Sequence, residues 1–243
     1  MRIRIRKNGL DSLHDHEVLE TMLYFTIPRD DTNPVAHRLI QRFGSLSAVL
    51  GAPAEELEKV EGVGPKSAEF LSLFPQYARR YLVSLQEDDR PLETTEDIGR
   101  FLCPCFVGES EELAYVVCLD NCRRPLCRIC IHRGSVNAVE INVRTVVKIA
   151  LDHKATGVIL AHNHPGGVAV PSQEDSNTTR RVFEALEPLH IDLVDHIVFA
   201  GPGESEADLM GDFVSMHESR LMPYQEPEDM NEDNMAAQTV RIR

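Results

Sequence analysis

The sequence predicts an α/β protein in which a small all-α N-terminal domain precedes a C-terminal domain built on a mixed sheet. Three observations lead there. Between Leu13 and Leu82 apolar residues recur mainly at helical spacing, the pattern of helices that bury one face. Residues 86–95 (QEDDRPLETT) are charged and carry a proline, the composition of a domain boundary. Beyond them strand-like and helical patterns intermingle, and the apolar run Gly157-Val158-Ile159-Leu160-Ala161 has the length of a buried strand.

Taken in order, residues 11–24 (DSLHDHEVLETMLY) place Leu13, Val18, Leu19, Met22 and Leu23 on a helix, with Asp11 or Ser12 as its cap. A polar turn at 28–33 leads to a second amphipathic helix at 34–43, ended by Gly44. Residues 45–50 and 54–60 read as short helices, and Gly62-Val63-Gly64-Pro65-Lys66 opens a longer one ending near Leu82. The first domain spans 1–86 and the linker 87–95. In the second domain, 96–222, residues 97–101 end a short helix. Residues 111–120 form a strand with 124–132 as its hairpin partner, and 134–138 form a loop. Residues 142–153 place Val143, Val146, Val147, Ala150 and Leu151 on one helical face and lead into the strand that starts at Gly157. A helix at 172–186 and a last strand at 191–200 complete the sheet. Residues 223–243 form an acidic tail with little that can pack, and are expected to be disordered.

Composition narrows the function classes. With 243 residues and 42% hydrophobic content, the chain can fill one large core or two small ones. No apolar segment approaches the roughly 20 residues that span a bilayer, and residues 1–7 (MRIRIRK) lack the apolar stretch of a secretion signal. The expectation is a cytoplasmic protein with no membrane partner. A net charge of −14 argues against broad nucleic-acid binding. From Gly203 onward, however, ten acids face three arginines, so that tail alone carries −7, while residues 1–83 hold eleven of each sign. A DNA contact by the N-terminal domain stays open. The hairpin-like segment there resembles a helix-hairpin-helix element, in which Gly62 and Gly64 bring backbone N–H groups near a phosphate and Lys66 assists. A tight turn used only for packing explains the same residues, and Glu58, Glu61 and Glu69 weaken phosphate attraction.

Six cysteines, Cys103, Cys105, Cys118, Cys122, Cys127 and Cys130, invite a zinc-knuckle or disulfide reading. On a strand, Cys127 and Cys130 are three apart and face opposite sides, so they cannot share one metal. Small buried core residues are the favoured reading; a redox or second metal role is the alternative.

The chemistry concentrates in residues 161–180 (AHNHPGGVAVPSQEDSNTTR). On a strand His162 and His164 point to one face. Imidazole is the commonest zinc ligand, and a catalytic zinc takes three protein ligands and one open position. Asp175, one turn into the following helix, can return a carboxylate over the strand end as the third. Ser172 and Asp175 also fit helix capping.

The pattern H-x-H-P-x6-S-x-x-D resembles the JAMM (MPN-type) metalloprotease signature. The order of parts resembles the RadC (UPF0758) family, through Leu13-His14-Asp15-His16-Glu17-Val18-Leu19, Phe43-Gly44-Ser45-Leu46, Gly62-Val63-Gly64-Pro65-Lys66-Ser67-Ala68, Gly134-Ser135-Val136-Asn137 and the metal motif. This resemblance implies an MPN-type fold and one zinc per chain held by His162, His164 and Asp175. It also implies a glutamate general base just before a hydrophobic strand. That pattern aligns Glu112 with the base, and a one-residue slip substitutes Glu111. A zinc lowers the pKa of bound water from 15.7 to about 7, a glutamate moves its proton to a leaving amine, and Ser172 can donate to the oxyanion.

Two functions follow. One is a zinc-dependent metallopeptidase hydrolysing a peptide or isopeptide bond of a protein substrate. The other is a DNA-repair-associated or DNA-binding scaffold in which the zinc is structural. A zinc deaminase lacks its H-x-E and P-C-x-x-C pattern.

Overall fold

The computed structural model describes residues 2–28, 30–86, 90–134, 141–201 and 212–224. The expected loop beyond Gly134, part of the linker (87–89) and the tail beyond Tyr224 lie outside the described residues. The chain divides into two compact units, Met1–Arg80 and Tyr81–Arg243, each with its own core.

The first unit is helical. It contains α1 (Arg2–Asn8), α2 (Asp15–Leu23), α3 (Asn33–Phe43), α4 (Leu46–Leu50), α5 (Ala54–Leu57) and most of α6 (Pro65–Ser84). Leu19, Leu23, Ala36, Leu39, Leu57, Ala68 and Leu71 are fully buried in one core. The start of α2 differs from the expectation. Asp11 and Ser12 fall in a 3-10 turn, Leu10–Ser12, and the Ser12 hydroxyl donates to the Gly9 carbonyl. The helix is capped at His14, whose backbone N–H donates to the Glu17 carboxylate at 2.9 Å.

The second unit is a mixed sheet between helical layers, as the sequence predicts. Its elements are α7 (Thr95–Leu102), β1 (Glu112–Leu119), β2 (Pro125–Gly134), α8 (Val143–Asp152), β3 (Gly157–His164), α9 (Gln173–Leu186), β4 (Asp192–Ala200) and β5 (Phe213–Ser215). The sheet order is β2-β1-β3-β4-β5. β3 runs parallel to β4 and antiparallel to β1, and the remaining pairs are antiparallel. β4 is therefore not the last strand. The short β5 pairs with it through Ile197, Val198 and Phe199.

Alternation along the strands divides the core in two. Leu113, Val117 and Leu119 of β1 and Ile159 and Ala161 of β3 pack with Ile98, Phe101 and Leu102 of α7. Ala114, Val116 and Cys118, with Val158 and Leu160, pack with Val146 and Ala150 of α8 and Val182 and Leu186 of α9. β1 and β3 are covered on both faces, which is why they read as continuous apolar runs rather than alternating ones. Among the described residues no helix is long and apolar enough to cross a membrane.

Candidate metal centre

The row Val158, Leu160 on the α8/α9 side of β3 ends in His162 and His164. The two-residue period that buries the first pair aims both imidazoles the same way. α9 begins beside them. The Ser172 hydroxyl accepts the Asp175 backbone N–H at 3.1 Å and donates to Asp175 Oδ2 at 2.7 Å. The Ser172 backbone N–H donates to the same oxygen at 2.7 Å. The cap thus fixes the carboxylate, with Oδ1 3.1 Å from His162 Nε2 and Oδ2 3.6 Å from His164 Nε2. The two Nε2 atoms are 3.0 Å apart. Zinc bonds of about 2.0–2.2 Å to nitrogen and oxygen in a tetrahedron separate ligand atoms by about 3.3–3.5 Å. The separations are close to these values, although the two histidines face different oxygens of Asp175; Glu112 also lies near enough to both imidazoles to complete a metal-binding group.

Hydrogen bonds set the tautomers. A carbonyl only accepts, so His164 Nδ1, 3.2 Å from the Val168 carbonyl, carries its proton, and Nε2 of the neutral ring holds the lone pair. For His162 the order is set through two further residues. The Thr179 hydroxyl donates to the Asp175 carbonyl at 2.6 Å, so its oxygen accepts from His196 Nδ1 at 2.7 Å. His196 Nε2 is then an acceptor, taking the His162 Nδ1 proton at 2.9 Å and leaving His162 Nε2 bare toward Asp175. His196 is fully buried; burial, aided by the nearby His162, lowers its pKa to about 3 and keeps it neutral in this role.

A proton and a metal ion would compete for the same nitrogen lone pairs. The hydrogen bond to Asp175, opposed by burial, raises His164 above the ordinary imidazole range. Burial alone would raise Asp175, but His162 and His164, which donate to it when protonated, and the Ser172 hydroxyl outweigh burial and hold the carboxyl well below the usual range.

Glu112 is the acid that faces this group. It opens β1, is buried, and offers a carboxylate oxygen that clusters with a nitrogen of each of His162 and His164 within 4.8 Å. Glu111 is half exposed and pairs with Arg133 at 3.3 Å. The backbone ladder between β1 and β3 reaches Ala114 and His162, and beyond it the Asn163 side chain takes over. Its Oδ1 accepts from Leu113 N at 2.7 Å and its Nδ2 donates to the Glu111 carbonyl at 3.1 Å. Asn163 therefore grips the backbone on both sides of Glu112.

The family model for the RadC-like JAB domain matches residues 92–221, more than half of the chain. The chain belongs to the RadC family. The match contains Glu112, His162, His164, Ser172 and Asp175, so the RadC domain and the cluster of candidate ligands coincide.

Three further residues of this RadC site escaped sequence reasoning or were not given a role by it. Asn163 sits between two histidines and is 2% exposed, a buried amide at the end of an apolar run that must find partners. Thr179 lies one turn beyond Asp175 on the buried side of α9. Gly201, just past β4, leaves no room for a side chain: a Cβ would lie 2.2 Å from Gly166 N and 2.9 Å from the His164 carbonyl. It holds down the turn that follows the histidines.

Gly62, Gly64 and Lys66 belong to the first unit. Gly62 has φ of 92°, and a Cβ there would meet Val35 at 2.8 Å, so its requirement for glycine is met by packing against α3. Gly64 has open space around it and Lys66 is exposed at the start of α6.

Proposed function

We propose that this RadC-family protein is a zinc-dependent hydrolase of an amide bond, a peptide or isopeptide bond in a protein substrate. The supporting observation is the convergence of His162 Nε2 and His164 Nε2, 3.0 Å apart, on the two oxygens of Asp175, at 3.1 Å to Oδ1 and 3.6 Å to Oδ2, beside the buried Glu112. His162, His164 and Asp175 would hold the ion. When bound, it supplies a water acidified to a pKa of about 7 and a Lewis acid for the scissile carbonyl.

The chain provides the rest. Glu112, held by the Asn163 clamp, accepts the proton of the attacking water at its carboxylate and returns it to the departing nitrogen. Ser172 has a double task. Its backbone N–H keeps Asp175 in place, and its hydroxyl, once the carboxylate is engaged by the cation, is released to donate to the oxyanion. The relay Thr179–His196–His162 keeps the His162 lone pair aimed at the cation.

Cleavage of amide-linked substrates by the zinc-loaded protein, abolished by chelator and lost in Glu112→Gln with zinc content unchanged, is the expected result. Full metal content with no effect of Glu112→Gln on cleavage would remove Glu112 from the role.

A second reading, a DNA contact by the first unit, is favoured by the open space at Gly64 and the exposed Lys66. It predicts salt-dependent duplex binding weakened by Lys66→Ala; no binding at low salt removes it.

A further inference from the structure

The second unit brings two thiols and an imidazole together at a place the proposed hydrolase does not use. Cys118 of β1 and Cys127 of β2 are direct cross-strand partners, and both lie on the sheet face covered by α8. His153 caps the C-terminus of α8. One ligand atom of each lies within 4.8 Å of the other two. Cys118 is fully buried, Cys127 half-buried and His153 exposed, so the group runs from the core to solvent and an ion has a way in.

The imidazole is already oriented. His153 Nδ1 is 3.0 Å from the Ile149 carbonyl, which can only accept, so the neutral ring carries its lone pair on Nε2. The two sulfurs sit side by side on adjacent strands, that of Cys118 in the core. Two thiolates cannot coexist there without a compensating charge, and a divalent cation supplies it. Cys130, three residues along β2 from Cys127, is exposed and its thiol donates to the His132 carbonyl, which leaves it out of the group.

We propose that Cys118, Cys127 and His153 form a second metal site, a two-thiolate, one-imidazole set for a zinc-class divalent cation with a fourth position open to solvent. Binding is balanced as one M²⁺ taken up, two sulfur–metal bonds and one nitrogen–metal bond formed, and two thiol protons released. Bonds of about 2.3 Å to sulfur and about 2.0–2.1 Å to nitrogen place tetrahedral ligand atoms about 3.5–3.8 Å apart. From the 4.8 Å limit a contraction of at most about 1.0–1.3 Å closes the site. Two sulfurs and a nitrogen favour zinc over magnesium or calcium, which take oxygen.

Cobalt(II) reads this site apart from the hydrolytic one, because sulfur-to-cobalt charge transfer requires thiolate ligands and the His162–His164–Asp175 set has none. The experiment titrates Co²⁺ into the full-length protein under a non-thiol reductant. The expected result is a charge-transfer band of one thiolate-bound cobalt per chain, complete once the two sites together have taken up two equivalents. It disappears in Cys127→Ser, weakens in affinity by at least about tenfold in His153→Ala, and is unchanged in Cys130→Ser and in His164→Ala. His153→Ala alters an exposed side chain and keeps the fold intact, so a failed Cys127→Ser preparation does not remove the test. Absence of the band in the wild type, its persistence in Cys127→Ser, its indifference to His153→Ala, or its loss in Cys130→Ser each overturns the site. Loss of the band in His164→Ala also overturns it, by making the two sites one.

Discussion

A shift of one residue decides which acid faces the two histidines. Glu111 and Glu112 are adjacent in sequence, and a one-residue slip of β1 would exchange them, because strand neighbours face opposite sides. The resemblance aligns Glu112 with the base and leaves Glu111 as the competitor. The pairing of Ala114 with His162 puts Glu112 on the side of the two histidines, and Asn163 holds the backbone there by binding the Glu111 carbonyl and the Leu113 N–H. Asn163→Ala strands the buried Leu113 N–H, a loss of about 1–3 kcal/mol, and releases Glu112. The expected outcome is a lower melting temperature and reduced cleavage with zinc content retained, measured by calorimetry and elemental analysis on one preparation. The histidine pair carries a pH signature of its own. His164 is raised by Asp175, so in the metal-free protein their contact stabilises the fold fully below about pH 6.5, the ordinary histidine range, and is lost as pH rises through the raised value. The metal must displace that proton. Zinc affinity is therefore flat above the raised value and falls by up to about tenfold per pH unit below it, which competition titrations from pH 8 to pH 5 will resolve.

At the level of elements, α9 links helix capping to ligand placement. The sequence presented Ser172 and Asp175 as either a cap or a metal motif; the cap is there, and the same hydrogen bonds hold the Asp175 carboxylate beside the two histidines. Ser172→Ala removes a cap worth about 1 kcal/mol and loosens Asp175, so thermal stability and zinc affinity are expected to fall together. Thr179→Val, one turn along, separates the two effects. It keeps the shape of the side chain while cutting the hydrogen bond that sets the His196 and His162 tautomers. Zinc affinity is expected to drop about 10- to 100-fold, with Thr179→Ser near wild type; equal affinity for the valine variant would show that the relay does not orient His162. β3 and the helices around it were legible because long periodic runs carry their own signal. β5 was not. Three residues, Phe213–Ser215, are too short to show a period, and they are strand only because the β4 edge is there to pair with. The α2 cap was misplaced for a related reason: Asp11 and Ser12 have the right chemistry, but Ser12 spends its hydroxyl on Gly9.

Across the whole molecule, two units with separate cores make metal binding a local stabiliser. Zinc at 100 times its dissociation constant adds about 2.7 kcal/mol to whatever unfolds with the site. The transition of the sheet-containing unit is expected to move up on loading, while that of Met1–Arg80 stays in place; a common shift of both would mean that they unfold as one. The division into a helical and a sheet-based part was readable from periodicity, and the grouping of His162, His164 and Asp175 from spacing. The proton relay and the Asn163 clamp were not, because they depend on which backbone groups the folded strands leave unpaired. The claim on which the rest depends is that His162, His164 and Asp175 hold a metal ion. Its most direct test is the zinc content of the wild type beside His164→Ala, both loaded with excess zinc and desalted. The expected result is one equivalent per chain fewer in the variant, with the two proteins equally folded. Equal zinc in both would contradict it.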